Sequence, residues 1–199
     1  MKIFAILTSA FLFAGTAWAD AVPGKAAPAF EIKDAAGKYH KLADFKGKWV
    51  VLEWFNKDCP YVKKHYGSSN MQKLQQDYAA KGVVWLTVNS SAKGKQGYVE
   101  PQQALTDAKE RNAAPSAILL DTDGKVGKAY GAKTTPHMYV INPDQQVVYA
   151  GAIDDNDSSD PKVIPASKNY VVQALDSGLA GKPIATASSR PYGCSVKYN

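Results

Sequence analysis

The chain has 199 residues with 24 Lys and Arg against 18 Asp and Glu, a net charge of +6, and two cysteines. Its basic residues are scattered and nearly all lysine, Arg111 and Arg190 being the only arginines, so the basic, arginine-rich face that a nucleic-acid partner requires is not there. Two cysteines cannot build a disulfide-dense scaffold, so a hydrophobic core has to carry the fold.

The first 19 residues read as an address. Lys2 is followed by an apolar stretch over 3–14 and by Ala17-Trp18-Ala19, the small-x-small pattern that a signal peptidase cuts after. Cleavage after Ala19 starts the mature chain at Asp20, and the apolar stretch is too short to serve as a bilayer anchor. The expectation is a periplasmic or secreted protein with no membrane anchor after processing. Residues 20–180 suit one domain, and 181–199 form a C-terminal tail that carries Cys194.

Residues 30–33 alternate as a strand does, the turn over 34–37 follows, and 38–42 return, giving an N-terminal hairpin. The run 49–55, Trp-Val-Val-Leu-Glu-Trp-Phe, reads as a buried central strand. Cys59 and Pro60 open a helix, with proline where the missing N–H costs nothing. Val62, Tyr66, Leu74 and Tyr78 keep helical spacing up to Gly82, so one helix is expected over 60–82. A strand over 83–88, a helix from Pro101 that stops before Pro115, a strand over 117–120 and a short helix ending near Gly131 come next. Strands over 137–141 and 146–150 flank the turn at Asn142-Pro143-Asp144. An Asp-rich loop (Asp154, Asp155, Asp157, Asp160) precedes a last helix over 167–179, and the tail from Gly181 is expected to be irregular. The early βαβ order implies parallel strands and the late hairpin antiparallel ones.

The segment Val50-Val-Leu-Glu-Trp-Phe-Asn-Lys-Asp-Cys59-Pro-Tyr-Val resembles the strand-to-helix junction of thioredoxins and of the alkyl hydroperoxide reductase/thiol-specific antioxidant superfamily. Thr134-Thr135-Pro136 resembles the cis-proline loop of those proteins. The stretches Cys-Pro-Tyr-Val-Lys-Lys-His-Tyr and Gly-Ala-Lys-Thr-Thr-Pro-His are similar to a peroxiredoxin-like branch of bacterial redoxins. The resemblance implies an α/β thioredoxin fold, with a central mixed β-sheet flanked by helices, an N-terminal hairpin and a C-terminal tail extension. It also implies a thiol–disulfide redox protein with antioxidant-type chemistry. Cys59 would be the nucleophile, Glu53 the buried acid that handles protons, and Thr135, Pro136 and Pro60 the residues that meet a substrate chain. Its partners would be protein thiols and disulfides or a thioredoxin-like reductant, with no cofactor and no metal.

Physical chemistry points to Cys59 independently, because a thiol at a helix N-terminus faces unsatisfied N–H groups that favour thiolate. Lys57, Lys63 and Lys64 add positive charge and Asp58 opposes it. Val62 stands where the second cysteine of a Cys-x-x-Cys motif would be, so any resolving cysteine comes from elsewhere, and Cys194 is the one internal candidate. Three readings stay open: a catalytic Cys59–Cys194 pair, a permanent staple between them in a binding or structural protein, and a one-cysteine peroxidase. The last lacks its motif, since Leu52 and Asn56 stand at the expected Pro and Thr positions. His65 and His137 read as packing or surface residues without metal-ligand spacing. The Asp-rich loop and 121–124 read as turns, because neither has the closing Glu of a calcium loop.

Overall fold

A computed structural model describes residues 21–199, so the export signal over 1–19 and its cleavage point lie outside the described residues. In chain order the strands are β1 (Glu31–Lys33), β2 (Tyr39–Lys41), β3 (Val50–Trp54), β4 (Val84–Asn89), β5 (Ala117–Leu120), β6 (Thr134–Thr135), β7 (His137–Ile141), β8 (Val147–Gly151) and β9 (Cys194–Ser195). The helices are α1 (Pro60–Gly67), α2 (Asn70–Ala79), α3 (Pro101–Glu110), α4 (Lys125–Tyr130) and α5 (Tyr170–Leu179), with 3-10 turns at Leu42–Phe45 and Pro161–Ala166.

Five strands form the central sheet in the order β5-β4-β3-β7-β8. β3 runs parallel to β4, and β4 to β5, while β7 is antiparallel to both β3 and β8. This is the expected mixed sheet of the thioredoxin fold. β3 lies at its centre with all five residues buried, which is why its sequence, Glu53 apart, runs apolar instead of alternating. Its side chains still alternate between faces: Val50, Leu52 and Trp54 enter one core cluster, while Val51 joins Phe55 and Cys59 in the other.

Both sheet edges are covered, as edges that must not pair with other chains need to be. The β1–β2 hairpin reaches β5 through the Asp34–Leu119 bridge and the Ala35 N–H, which donates to the Ile118 carbonyl at 2.8 Å. At the opposite edge the tail runs along β8, where Ala150 exchanges backbone bonds with Ala187 and Ser189.

The structure departs from sequence expectation at two places that matter for the site. The helix expected over 60–82 is broken into α1 and α2. Ser68 donates its hydroxyl back to the carbonyls of Lys64 (2.8 Å) and His65 (3.2 Å), satisfying the last turn of α1. Ser69 then takes a left-handed conformation with φ of 60°. The spacing misleads because both helices bury their apolar side against one cluster. The tail, in turn, is ordered: β9 pairs antiparallel with β6, setting Thr135 opposite Cys194 and Thr134 opposite Ser195.

Candidate active site

Cys59 sits at the junction between β3 and α1. The Asn56 side chain shapes the loop before it, accepting from the Asp58 N–H at 2.9 Å and donating to the Gln96 carbonyl at 3.3 Å. The Cys59 N–H then closes a turn onto the Asn56 carbonyl at 3.1 Å. Cys59 itself is the N-cap of α1 with extended backbone, and Pro60 takes the first helical position. Its side chain is fully buried.

Two chain segments converge on the Cys59 sulfur. One is the Thr135-Pro136 loop, whose peptide bond is cis; the Thr135 carbonyl accepts from the Cys59 thiol at 3.0 Å. The other is the tail, which brings the Cys194 thiol into hydrogen-bonding contact with Cys59. Both cysteines are free thiols. The tail is held down just beyond Cys194. Val196 N–H donates to the Lys133 carbonyl at 3.0 Å, the Lys197 carbonyl accepts from Ala92 N–H at 2.9 Å, and the Tyr198 hydroxyl donates to the Ala132 carbonyl at 2.8 Å. Gly193 makes the close approach feasible: a β-carbon there would lie 2.8 Å from the Thr135 carbonyl carbon, and its φ is 132°.

The electrostatics of the pair are lopsided. Burial works to raise the Cys59 pKa, but hydrogen bonds from the Cys194 thiol, the Thr135 side chain and the backbone at Val62 and Cys194 outweigh it and hold the thiol below its ordinary value. Cys194 is pushed up to about 12, first by burial and then by its hydrogen bond and charge interaction with Cys59. One sulfur is set to carry the negative charge and the other the proton. Cys194→Ala removes the largest of the stabilising hydrogen bonds and is expected to raise the pH midpoint of Cys59 alkylation. An unchanged midpoint in iodoacetamide titrations would show that the helix end and Thr135 suffice.

Glu53 lies on β3 with no exposed surface. Its carboxylate accepts from Tyr66 Oη (2.8 Å), Trp85 Nε1 (2.8 Å), Gln75 Nε2 (3.3 Å) and Thr87 Oγ1 (3.4 Å). Burial raises its pKa despite these donors. All four partners are on α1, α2 and β4; neither oxygen hydrogen-bonds to a cysteine. Because Tyr66 belongs to α1, Glu53 ties the helix that presents Cys59 to the centre of the sheet.

The residues next in importance were only half visible in the sequence. Lys64, expected to add positive charge near Cys59, and His65, expected to be a packing or surface residue, are fully buried side chains. They face Asp154 of the Asp-rich loop and Tyr192 of the tail, as described below. His137 is also buried, and its pKa is lowered to about 3 by burial and by the charge of Lys133. Its Nδ1 accepts from the Lys133 N–H at 3.2 Å. Asp121 does the work of a turn and cap, accepting from the N–H groups of Val126 (3.0 Å) and Gly127 (2.7 Å) at the start of α4. Of the two arginines, Arg111 stacks over Phe55 at 4.8 Å and Arg190 is exposed. Among the described residues no group of three or more His, Cys, Asp or Glu could hold a metal ion, and no helix is long and apolar enough to cross a membrane.

Comparison with known proteins bears on the family and the fold. Residues 23–150 match the AhpC/TSA family. The thiol-disulfide oxidoreductase ResA of Bacillus subtilis (strain 168) is 30% identical over 125 residues, covering 63% of this chain. The chain spans 64% of the length of that relative. Among solved structures, an uncharacterized conserved protein from Geobacillus kaustophilus is 28% identical with a TM-score of 0.73, over 90% of this chain and 93% of that one. A hypothetical protein from Sinorhizobium meliloti 1021 shares the fold with a TM-score of 0.76 at 24% identity, over 89% of this chain and 95% of that one.

Proposed function

The chain belongs to the AhpC/TSA family, and from that premise we propose that it is an exported thiol–disulfide oxidoreductase in which Cys59 is the nucleophile and Cys194 resolves. The observation that carries this reading is the meeting of the two thiols, with the Cys59 pKa lowered and that of Cys194 raised. Cys59 thiolate attacks one sulfur of a partner disulfide, forming a mixed disulfide and expelling the other partner sulfur as thiolate. Cys194 then attacks Cys59 Sγ, its proton passes to a departing thiolate, and the Cys59–Cys194 disulfide forms as the partner leaves with both thiols. The partner gains two electrons and the pair loses two; a dithiol reductant of the thioredoxin type restores it by the reverse sequence.

In this reading Thr135, Pro136 and Pro60 border the partner chain at Cys59, and the backbone of β6, which now pairs with β9, is the edge an extended partner segment would use. Glu53 serves as the buried acid behind the nucleophile. Its raised pKa lets it hold a proton at a pH where an ordinary carboxylate is ionised, and Tyr66 links it to α1. Residues 20–180 form the redoxin domain and 181–199 a functional tail. The peroxidase reading has less support, since Asn56 is engaged with Gln96 and Asp58 and Arg111 with aromatic rings.

Redox titration separates a working pair from a permanent staple. A catalytic pair equilibrates near the potential of ordinary thiol buffers, whereas a structural bridge has a potential below about −300 mV and resists them. A value in that lower range overturns the enzyme reading. Export is tested by the mass of the protein recovered from the producing cell, expected to begin at Asp20; a chain still beginning at Met1 excludes it.

A further inference from the structure

Lys64 and His65 lie between one and two turns along α1 from Cys59, and both side chains are fully buried. A buried ammonium is costly unless it is paired and fully hydrogen-bonded. Lys64 Nζ meets the Asn156 carbonyl at 2.8 Å, Tyr192 Oη at 3.3 Å and Asp154 Oδ2 at 3.4 Å, and it lies 5.3 Å from the centre of the Tyr192 ring. The Tyr192 hydroxyl gives its single proton to Asp154 Oδ1. It accepts from Lys64 and, at 3.3 Å, from His65 Nε2, whose other nitrogen accepts from the Asn70 amide at 2.9 Å. The Tyr192 ring also packs on Tyr61 of α1 at 5.6 Å between centroids. Every hydrogen-bonding capacity of the Tyr192 hydroxyl is therefore used by buried groups.

Tyr192 stands two residues before Cys194. The helix that presents the Cys59 sulfur at its first turn thus grips the tail, by its next turn, next to the other sulfur. Both thiols are referenced to one rigid element. We infer that Lys64, Asp154 and Tyr192 form a latch that sets the effective concentration of Cys194 at Cys59, so that these positioning residues, which touch neither sulfur, tune the redox equilibrium of the pair. The inference rests on the reading of Cys59 and Cys194 as a redox pair. Holding two reactive groups together converts their encounter into an intramolecular one, and the gain is lost when the tether slackens.

The test uses the full mature chain with Tyr192→Phe as the mild variant and Lys64→Met as the severe one. Tyr78→Phe is the control, since the Tyr78 hydroxyl is bonded to Asp176 and Val172, away from the tail. Each protein is equilibrated with glutathione and glutathione disulfide. The pair gives two electrons and two protons to one glutathione disulfide, yielding two glutathione molecules and the protein disulfide. In parallel, the rate of Cys59 alkylation by iodoacetamide is measured in the Cys194→Ser background. Tyr192→Phe is expected to lower the equilibrium constant for disulfide formation at least tenfold, a rise of about 30 mV in reduction potential, and to speed Cys59 alkylation by a similar factor. Tyr78→Phe should leave both unchanged. If a disulfide forms normally and Tyr192→Phe alters neither quantity, the latch is wrong and the redox pair stands. If no disulfide forms in any variant while Tyr192→Phe still speeds alkylation, the redox pair is wrong and the tuning role falls with it. Should Lys64→Met fail to fold, the Tyr192→Phe arms decide alone.

Discussion

Replacing Cys59 with serine is expected to reduce thiol–disulfide exchange to the uncatalysed background, because an alcohol at this position is not ionised at any working pH and cannot form the mixed disulfide. Cys194→Ser is expected to behave differently. The first attack survives, but nothing internal resolves the intermediate, so a mixed disulfide between Cys59 and the partner accumulates and is seen on non-reducing gels. The contrast between the two variants is the informative part. The Cys59 thiol is the one whose pKa is lowered, by hydrogen bonds that outweigh its burial, while Cys194 is pushed up to about 12. Assigned the other way round, the roles would place the attack on the sulfur that keeps its proton. Covalent trapping on Cys194 in a Cys59→Ser protein, with none on Cys59 in Cys194→Ser, would overturn the assignment. Undiminished exchange by Cys59→Ser would overturn the enzyme reading altogether.

Much of this site was legible in the sequence because local signals fix it. The apolar run ending at Phe55, the Cys59-Pro60 helix start and the Thr135-Pro136 pair each carry their geometry in a few adjacent residues. What stayed hidden depends on contacts between distant segments. The spacing of Val62, Tyr66, Leu74 and Tyr78 carries through the break at Ser69, since a chain can change direction and keep its apolar side on the same core. Lys64 reads as positive charge beside Cys59 and His65 as a packing or surface residue until Asp154 and Tyr192, 90 and 128 residues along the chain from Lys64, are brought to them. The tail reads as irregular because β9 is two residues long and makes sense only once β6 is beside it. Glu53 was visible as an acid out of place in an apolar strand. That its four donors come from three other elements was not. A buried acid in a strand announces that it has partners without naming them.

The second large effect is expected at Gly193. An alanine there would carry its β-carbon 2.8 Å from the Thr135 carbonyl carbon, with the neighbouring carbonyl oxygen closer still, and at a φ of 132° that L side chains avoid. Neither obstacle is a flexible side chain: the barrier is the backbone of the cis-proline loop itself. The β9–β6 pairing must therefore yield, and with it the position of Cys194, while β3, α1 and the rest of the sheet have no reason to move. Gly193→Ala should cost about 1–3 kcal/mol where the tail docks. Cys59, fully buried behind the tail in the native arrangement, should then be alkylated about 5–150-fold faster, the range in an equilibrium population that this cost corresponds to. The Cys59–Cys194 disulfide should form more slowly by a comparable factor, although both sulfurs are intact. A purely structural tail would predict loss of thermal stability with the oxidation rate preserved. An alanine variant that oxidises and alkylates like the native protein would mean that the tail can reach Cys59 without this close approach. Gly193 would then be incidental.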